Sequence, residues 1–236
     1  MPGDSFVFKQ FIVKQNKCAM KVGTDAVLLG AWAELPSAGY ALDVGAGTGI
    51  IAMMVAQRSN TSIDTIEIER DAYTQAVENC NNCKWEDRIN VVHTSFQDYV
   101  KGCARKYDVI ITNPPYFNNS LQPASEPRTT ARHTCTLSFE ELIDGISLLL
   151  HKHGSFATIL PLKESEMLID IAKERGLNLS RLMRIKTTAS KPEKRVMMEF
   201  TFGRDQFSES TIIIENEDHS YTPEYKELTR EFYLGF

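Results

Sequence analysis

From Tyr40 onward the chain alternates short apolar runs with helical stretches, and this alternation limits its fold more than any other feature. "YALDV", "SIDTIEI", "INVVH", "YDVIIT" and "SFATILP" read as strands, while "IIAMMVAQ" and "DAYTQAVENC" read as helices between them. Ser138 opens a further helix through Leu150, with Glu141 three residues on completing a capping box. Another helix runs from about Lys163 to Arg175 and stops at Gly176. "LNLSRLMRIKTT" and "RVMMEFTFG", separated by the polar turn "ASKPEK", suit an antiparallel hairpin. "TIIIEN" reads as one more edge strand, and Thr222-Pro223 opens a last helix with proline at its first position.

Repeated β-then-α units require a parallel sheet covered by helices on both faces. The expected class is therefore α/β: a doubly wound, mostly parallel sheet with an antiparallel C-terminal hairpin. Ahead of it, "KVGTDAVLLGAWAELP" predicts a short helix to about Ala33, capped by Thr24 or Asp25. Pro36 to Gly39 reads as a linker, so residues 1–38 form an extension and 39–236 the main domain.

With 42% hydrophobic and 24% charged residues the chain has the make-up of a globular protein. It shows no membrane-length apolar run and no signal-peptide pattern, which predicts a cytoplasmic protein without a membrane partner. Five cysteines do not form a disulfide framework, and Cys80 and Cys83 have no second pair at metal-binding spacing. They read as two thiols at a helix end, and "HKH" at 151–153 reads as a solvated helix-to-strand turn, so no metal is expected. The net charge of −5 argues against indiscriminate coating of nucleic acid. Charge is nonetheless uneven: six basic residues against Glu193 between Arg181 and Arg195, then eight acids against Lys226 and Arg230 from Asp205 to Glu231.

In doubly wound sheets ligands bind beyond the carboxyl ends of the strands, so the residues just after each strand carry the information. After the first stand Asp43, Gly45, Gly47 and Gly49, in "LDVGAGTGI". A dinucleotide fingerprint starting at Gly45 would need glycine where Ile50 stands. The acid ahead of the loop suits a ligand bearing an ammonium group, and three alternate glycines exceed what a tight turn alone needs. After the second strand, Glu67 is placed to accept bonds from both ribose hydroxyls, with Glu69 as competitor. At the third, Ser95 and Phe96 are available to hydrogen-bond and to pack on a purine. The fourth ends in Asn113-Pro114-Pro115-Tyr116-Phe117, a rigid platform of one amide and two rings, where mere strand termination is the plainer alternative.

DVGAGTG, a ribose-binding acid and NPPY together resemble the class I S-adenosylmethionine-dependent methyltransferases, which implies a Rossmann-like fold with a doubly wound, seven-stranded sheet. NPPY resembles the branch that methylates planar amino or amide nitrogens. "KVGTDAVLLGAW", "NPPYFNNSL", "RTTARH" and the closing "YTPEYKELTREFYLGF" look like the tRNA adenine-N6 methyltransferases that modify adenine 37 of a valine tRNA. The resemblance implies S-adenosyl-L-methionine as cofactor, tRNA as partner and a monomer without metal. It also implies that Lys21, Thr24 and Asp25 belong to a segment closing over the cofactor; helix capping accounts equally well for Thr24 or Asp25. The pattern departs at Ser95, where relatives often carry an Asp that binds the cofactor's adenine; Asp98 is the available substitute.

The implied chemistry explains the motif. An exocyclic amino nitrogen donates its lone pair into the ring and is a poor nucleophile. Acceptance of its two N–H bonds by the Asn113 side chain and the Pro114 carbonyl would aim that lone pair at the methyl donor, and Pro114 and Pro115 hold the acceptors in advance. Tyr116 offers a stacking face for the base. An adenine in an anticodon loop must be splayed out to arrive there. RNA contacts are then expected from Phe117, Arg128, Arg132 and His133 and from Lys191, Lys194 and Arg195 of the basic hairpin. Alternatives are methylation of a protein glutamine at N5, which usually needs an N-terminal helical domain longer than the roughly 39 residues here; methylation of RNA guanine at N2; and a non-catalytic RNA-binding protein on the same scaffold.

Overall fold

The computed structural model describes residues 3–114, 137–203 and 206–236. In chain order its elements are β1 (Ser5–Val7), β2 (Ile12–Lys14), α1 (Thr24–Trp32), β3 (Ala38–Val44), α2 (Ile50–Arg58), β4 (Asn60–Glu67), α3 (Arg70–Asn81), β5 (Ile89–His93), α4 (Phe96–Gly102), β6 (Tyr107–Thr112), α5 (Phe139–Leu149), β7 (Leu150–Pro161), α6 (Leu162–Glu174), β8 (Leu177–Lys186), β9 (Arg195–Phe202), β10 (Ser208–Ile213) and α7 (Pro223–Thr229). Eight strands form one sheet ordered β10-β8-β9-β7-β6-β3-β4-β5, and β1 pairs with β2 in a separate hairpin. Within the large sheet only β9 runs antiparallel to its neighbours, so the expected mixed edge is present.

Among the described residues the sheet has eight strands where the resemblance implied seven; the eighth is the expected edge strand, which begins at Ser208 instead of Thr211 and lies beside β8. Ser208, Glu209 and Ser210 join by backbone pairing with Arg181, Leu182 and Met183, and Glu209 adds an ion pair with Arg184, contributions that carry no apolar signature. Alternation along the strands separates two cores. Ala41, Ile63, Val109, Ile111 and Ile159 face α1, α2, α3 and α7, whereas Leu42, Val44, Ile66, Ile110 and Phe156 face α4, α5 and α6. Burial on both faces is why these strands read as nearly continuous apolar runs.

Local signals succeed where they rest on backbone chemistry. Ser138 and Glu141 form the capping box that starts α5, and Gly176 ends α6 with a φ of 77°. Three expectations are corrected. Gly23 occupies the cap position of α1 and supplies no side-chain bond, so neither Thr24 nor Asp25 caps it; both lie in its first turn. The linker reading fails at Ala38, where β3 already begins. "HKH" is not a turn but the start of β7, which follows α5 directly; the register slips from Tyr107↔Leu150 to Val109↔Ser155, and the extra residues are taken up as a bulge. Cys80 is buried and Cys83 half-buried, both free, at the end of α3.

Buried Asp64 on β4 accepts from Tyr107 at 2.6 Å, Arg105 at 2.7 Å and Asn90 at 2.8 Å, which ties β4, β5 and β6 together. A buried carboxylate with three partners is an ordinary structural device.

Candidate active site

Strand register brings the residues after three strands into one row. Val44 on β3 is level with Ile66 on β4 and with Thr112 on β6. Gly45, Glu67 and Asn113 therefore stand next to one another across adjacent strands, and Glu67 is paired in turn with His93 on β5. Two strand spacings put Glu67 and Asn113 about 10 Å apart. The row lies where the strand order turns back, between β3 and β6, the place at which such sheets bind ligands.

The loop between β3 and α2 passes through left-handed backbone at Gly45, Gly47 and Gly49, with φ of 86°, 53° and 79°. The three glycines serve different ends. A Cβ on Gly49, at the cap of α2, would come within 2.9 Å of the Cys80 sulfur, so this glycine lets α2 approach α3. A Cβ on Gly45 or Gly47 would meet nothing within 4 Å, so the backbone there borders open space.

Beneath the loop, Asp43 is 2% exposed. Its Oδ2 accepts from the Thr65 hydroxyl at 2.8 Å, and its buried Oδ1 makes no hydrogen bond of good geometry among the described residues, with only a weak influence from the Ala52 backbone. Burial, with the nearby Glu67 charge, raises this carboxyl to about 7 against the lowering effect of the Thr65 bond. An orphaned carboxylate oxygen under an open glycine loop fits a ligand that brings an ammonium group. Between the unfolded value of 3.8 and about 7 the folded chain keeps a proton that the unfolded chain has lost. The contribution of Asp43 to folding stability falls as pH rises through that window, by up to ~4 kcal/mol at about 1.4 kcal/mol per unit. Asp43→Asn is expected to remove this slope, matching wild type near pH 4 and melting higher at pH 8. Thermal unfolding across that range checks it, and parallel curves would contradict it.

Glu67 is 9% exposed, and its carboxylate accepts from the backbone of Gly47 at 2.8 Å, Ile68 at 2.9 Å and Glu69 at 2.9 Å. Glu69 is occupied otherwise: it caps α3 by accepting from Ala72 at 2.7 Å. At the end of β5, Ser95 caps α4, a helix the sequence reading lacked, by accepting from the backbone of Asp98 at 3.1 Å. Its hydroxyl also donates to the Asp98 carboxylate at 2.8 Å, so an acid does come to the place where Ser95 stands. Phe96 is corrected as a surface for a purine. It is 5% exposed and packed into the core against Gly145 of α5, where any Cβ would strike its ring. The apolar surface beside Glu67 is Ile68, 50% exposed. Sequence reasoning passed over Ile68 because an apolar residue ending a strand looks like core.

At the end of β6, Thr112 is buried and donates to the Val44 carbonyl at 2.7 Å, locking that corner of the sheet. Asn113 is half-buried and Pro114 buried. Pro115, Tyr116, Phe117, Arg128, Arg132 and His133 lie outside the described residues. Lys21 is exposed, and Asp25, in the first turn of α1, is ion-paired with Arg195 at 2.6 Å.

The basic run of the hairpin is largely neutralised in space. Arg181 pairs with Glu34 at 2.9 Å and Glu199 at 3.3 Å and lies over the Trp32 ring. Arg184 pairs with Glu193 and Glu209, and Arg195 with Asp25. Part of the acidic C-terminal stretch is thus the counterion of the basic one, because β10 lies beside β8. Lys191 and Lys194 remain exposed at the turn, on the same edge of the sheet as Asn113.

Residues 19–130 match the family described as the methyltransferase small domain. Over 230 residues the chain is 46% identical to a tRNA1(Val) (adenine(37)-N6)-methyltransferase of Bacteroides fragilis, covering 97% of each. Proteins of the same name from Phocaeicola vulgatus, 43% identical, and Trichodesmium erythraeum, 40% identical, are covered over 100% of both chains. Among solved structures, a predicted O-methyltransferase from Agrobacterium tumefaciens superposes with a TM-score of 0.69 at 19% identity, covering 88% of this chain and 96% of that one. A ribosomal protein L11 methylase from Lactobacillus delbrueckii subsp. bulgaricus gives 0.55 at 16% identity, with 76% and 77% covered. These two likenesses concern the fold.

Proposed function

The chain belongs to the tRNA1(Val) (adenine(37)-N6)-methyltransferase family, and from that membership we propose that it methylates N6 of an unpaired adenine in tRNA, adenine 37 of a valine tRNA. The observation that carries this reading is the strand register that sets Asn113 beside the glycine loop and in line with Glu67. S-adenosyl-L-methionine, when bound, supplies an electrophilic methyl group. Asp43 and the backbone at Gly45 and Gly47 hold its amino-acid end, Gly49 shaping the loop beside them, Glu67 its ribose hydroxyls, Ile68 and the Ser95–Asp98 pair its purine. Residues 1–38, through Lys21 and Asp25, close over that site.

Asn113 and Pro114 act on the substrate. The Asn113 side-chain oxygen and the Pro114 carbonyl accept the two N–H bonds of the adenine amino group. This turns the nitrogen lone pair out of conjugation and holds it in place. The proline ring restricts its own backbone, so little ordering is left for the reaction step. Tyr116 stacks on the base, a contact worth roughly 1–3 kcal/mol. Phe117, Arg128, Arg132 and His133 contact the RNA around it. On the hairpin side Lys191 and Lys194 meet the phosphates, and Arg195 does so only in exchange for Asp25.

Incubation with labelled S-adenosyl-L-methionine and bulk tRNA lacking the modification tests the reading. Label is expected as N6-methyladenosine at one position of a valine tRNA. Label in a protein glutamine, or in guanosine, would overturn it.

A further inference from the structure

Three chain segments meet around one buried amide. Asn79, on α3 and 2% exposed, accepts from the Lys14 backbone at 2.9 Å. Its Nδ2 donates to the Lys14 carbonyl at 2.8 Å and to the Thr48 carbonyl at 2.8 Å. One side chain thus joins the end of β2 to the loop that follows β3. One turn earlier, fully buried Gln75 accepts from the Lys17 backbone at 3.0 Å. On the solvent side, Glu78 pairs with both Lys14 at 2.7 Å and Lys17 at 2.8 Å. The segment so held lays Cys18 against the glycine loop, its thiol donating to the Gly47 carbonyl at 3.4 Å.

The peptides around Gly47 and Thr48 are therefore gripped from three directions. Glu67 accepts the Gly47 N–H, Cys18 meets the Gly47 carbonyl, and Asn79 meets the Thr48 carbonyl. A loop with glycine at 45, 47 and 49 loses much backbone entropy on ordering, about 1–2 kcal/mol per residue. When that ordering is already present in the free protein, ligand binding need not supply it. Burial makes the amide the strong element of this grip, since exposed ion pairs such as those of Glu78 contribute little.

We infer that Asn79 is a positioning residue for the methyl donor: by bonding Lys14 and Thr48 at once, it couples the N-terminal segment to the glycine loop and holds that loop ready for the cofactor. The inference rests on the proposed function, because it assumes that the loop binds S-adenosyl-L-methionine. A residue with this role sets cofactor affinity and leaves tRNA affinity and the chemical step at saturating cofactor alone. A merely structural residue would lower the melting temperature without separating these quantities.

The test uses the full chain with Asn79→Ala, Asn79→Asp and, as comparator, Glu78→Gln. Aspartate keeps the acceptor for the Lys14 N–H and loses the two bonds donated to the Lys14 and Thr48 carbonyls, so it reports on those two together, and hydrogen exchange on the wild-type chain keeps the inference testable where a variant fails to fold. Calorimetry with S-adenosyl-L-methionine well below the melting temperature is expected to show Kd raised roughly 10–30-fold in both Asn79 variants, since both lose the bonds donated to Lys14 and Thr48. KM for the cofactor should rise with it, kcat at saturation should stay within about twofold, and Glu78→Gln should resemble wild type. In wild type, hydrogen exchange at the Lys14 and Lys17 amides should slow when S-adenosylhomocysteine is added. Unchanged Kd in folded Asn79 variants, a fall confined to kcat, or exchange at Lys14 and Lys17 that ignores the added ligand would each overturn the inference. A wild-type protein that binds no cofactor would instead overturn the proposed function on which it stands.

Discussion

Asn113→Ala is expected to lower kcat for tRNA methylation by roughly 10²–10³-fold or more, the scale of removing one fixed hydrogen-bonding group from a reacting centre. Binding of S-adenosyl-L-methionine should stay within about threefold of wild type. The separation follows from position. Asn113 lies one strand away from the glycine loop, level with Gly45, and the end of β6 is secured without it by the Thr112 bond to the Val44 carbonyl. Alanine therefore removes an acceptor for the amino group while leaving the corner that carries it. An amino nitrogen left free to conjugate with its ring remains a poor nucleophile however well the methyl donor is bound. Single-turnover methylation together with cofactor calorimetry checks both halves. Turnover within threefold of wild type would reduce the Asn-Pro-Pro stretch to a strand terminator.

Glu67→Ala should damage two properties at once. Three backbone N–H groups, of Gly47, Ile68 and Glu69, lose their shared acceptor. Hydrogen bonds to a charged group contribute about 1.5–3 kcal/mol each, and those that water can replace cost less, so a net destabilisation of ~2–4 kcal/mol is expected. Cofactor affinity should fall at least ~100-fold, since the ribose loses its acceptor and the loop loses a support, together ~3 kcal/mol. Chemical denaturation measures the first effect, and calorimetry at low temperature, where the variant is folded, measures the second. A variant as unstable as expected but with wild-type affinity would remove Glu67 from the cofactor site and leave it a loop brace. Its three backbone partners make that brace real in either case.

The strand-end residues were legible because the chemistry they carry is local. Three alternate glycines after an acid, and an amide before two prolines, are unusual in any loop, and the β/α alternation says which edge of the sheet they occupy. Phe96 shows where such reading fails: an aromatic after a strand is equally suited to a ligand and to a core, and the residue that decides is Gly145, 49 positions away. The charge of the basic hairpin shows the same limit. A count of six basic residues against one acid leaves out Glu34, Glu209 and Asp25, which pair with Arg181, Arg184 and Arg195 and which sequence distance hides. Asn79 and Gln75 gave no signal, since polar residues on an amphipathic helix ordinarily face water.

Sequence alone determined the class of fold, the two cores and the identity of the residues at the strand ends, because hydrophobic periodicity, glycine and proline act through their own backbone and immediate neighbours. Tertiary structure alone decided which of those residues are free to meet a ligand. Burial, charge pairing and the bonding of a side chain to distant backbone depend on what the fold places opposite each group, as with Asn79 between Lys14 and Thr48.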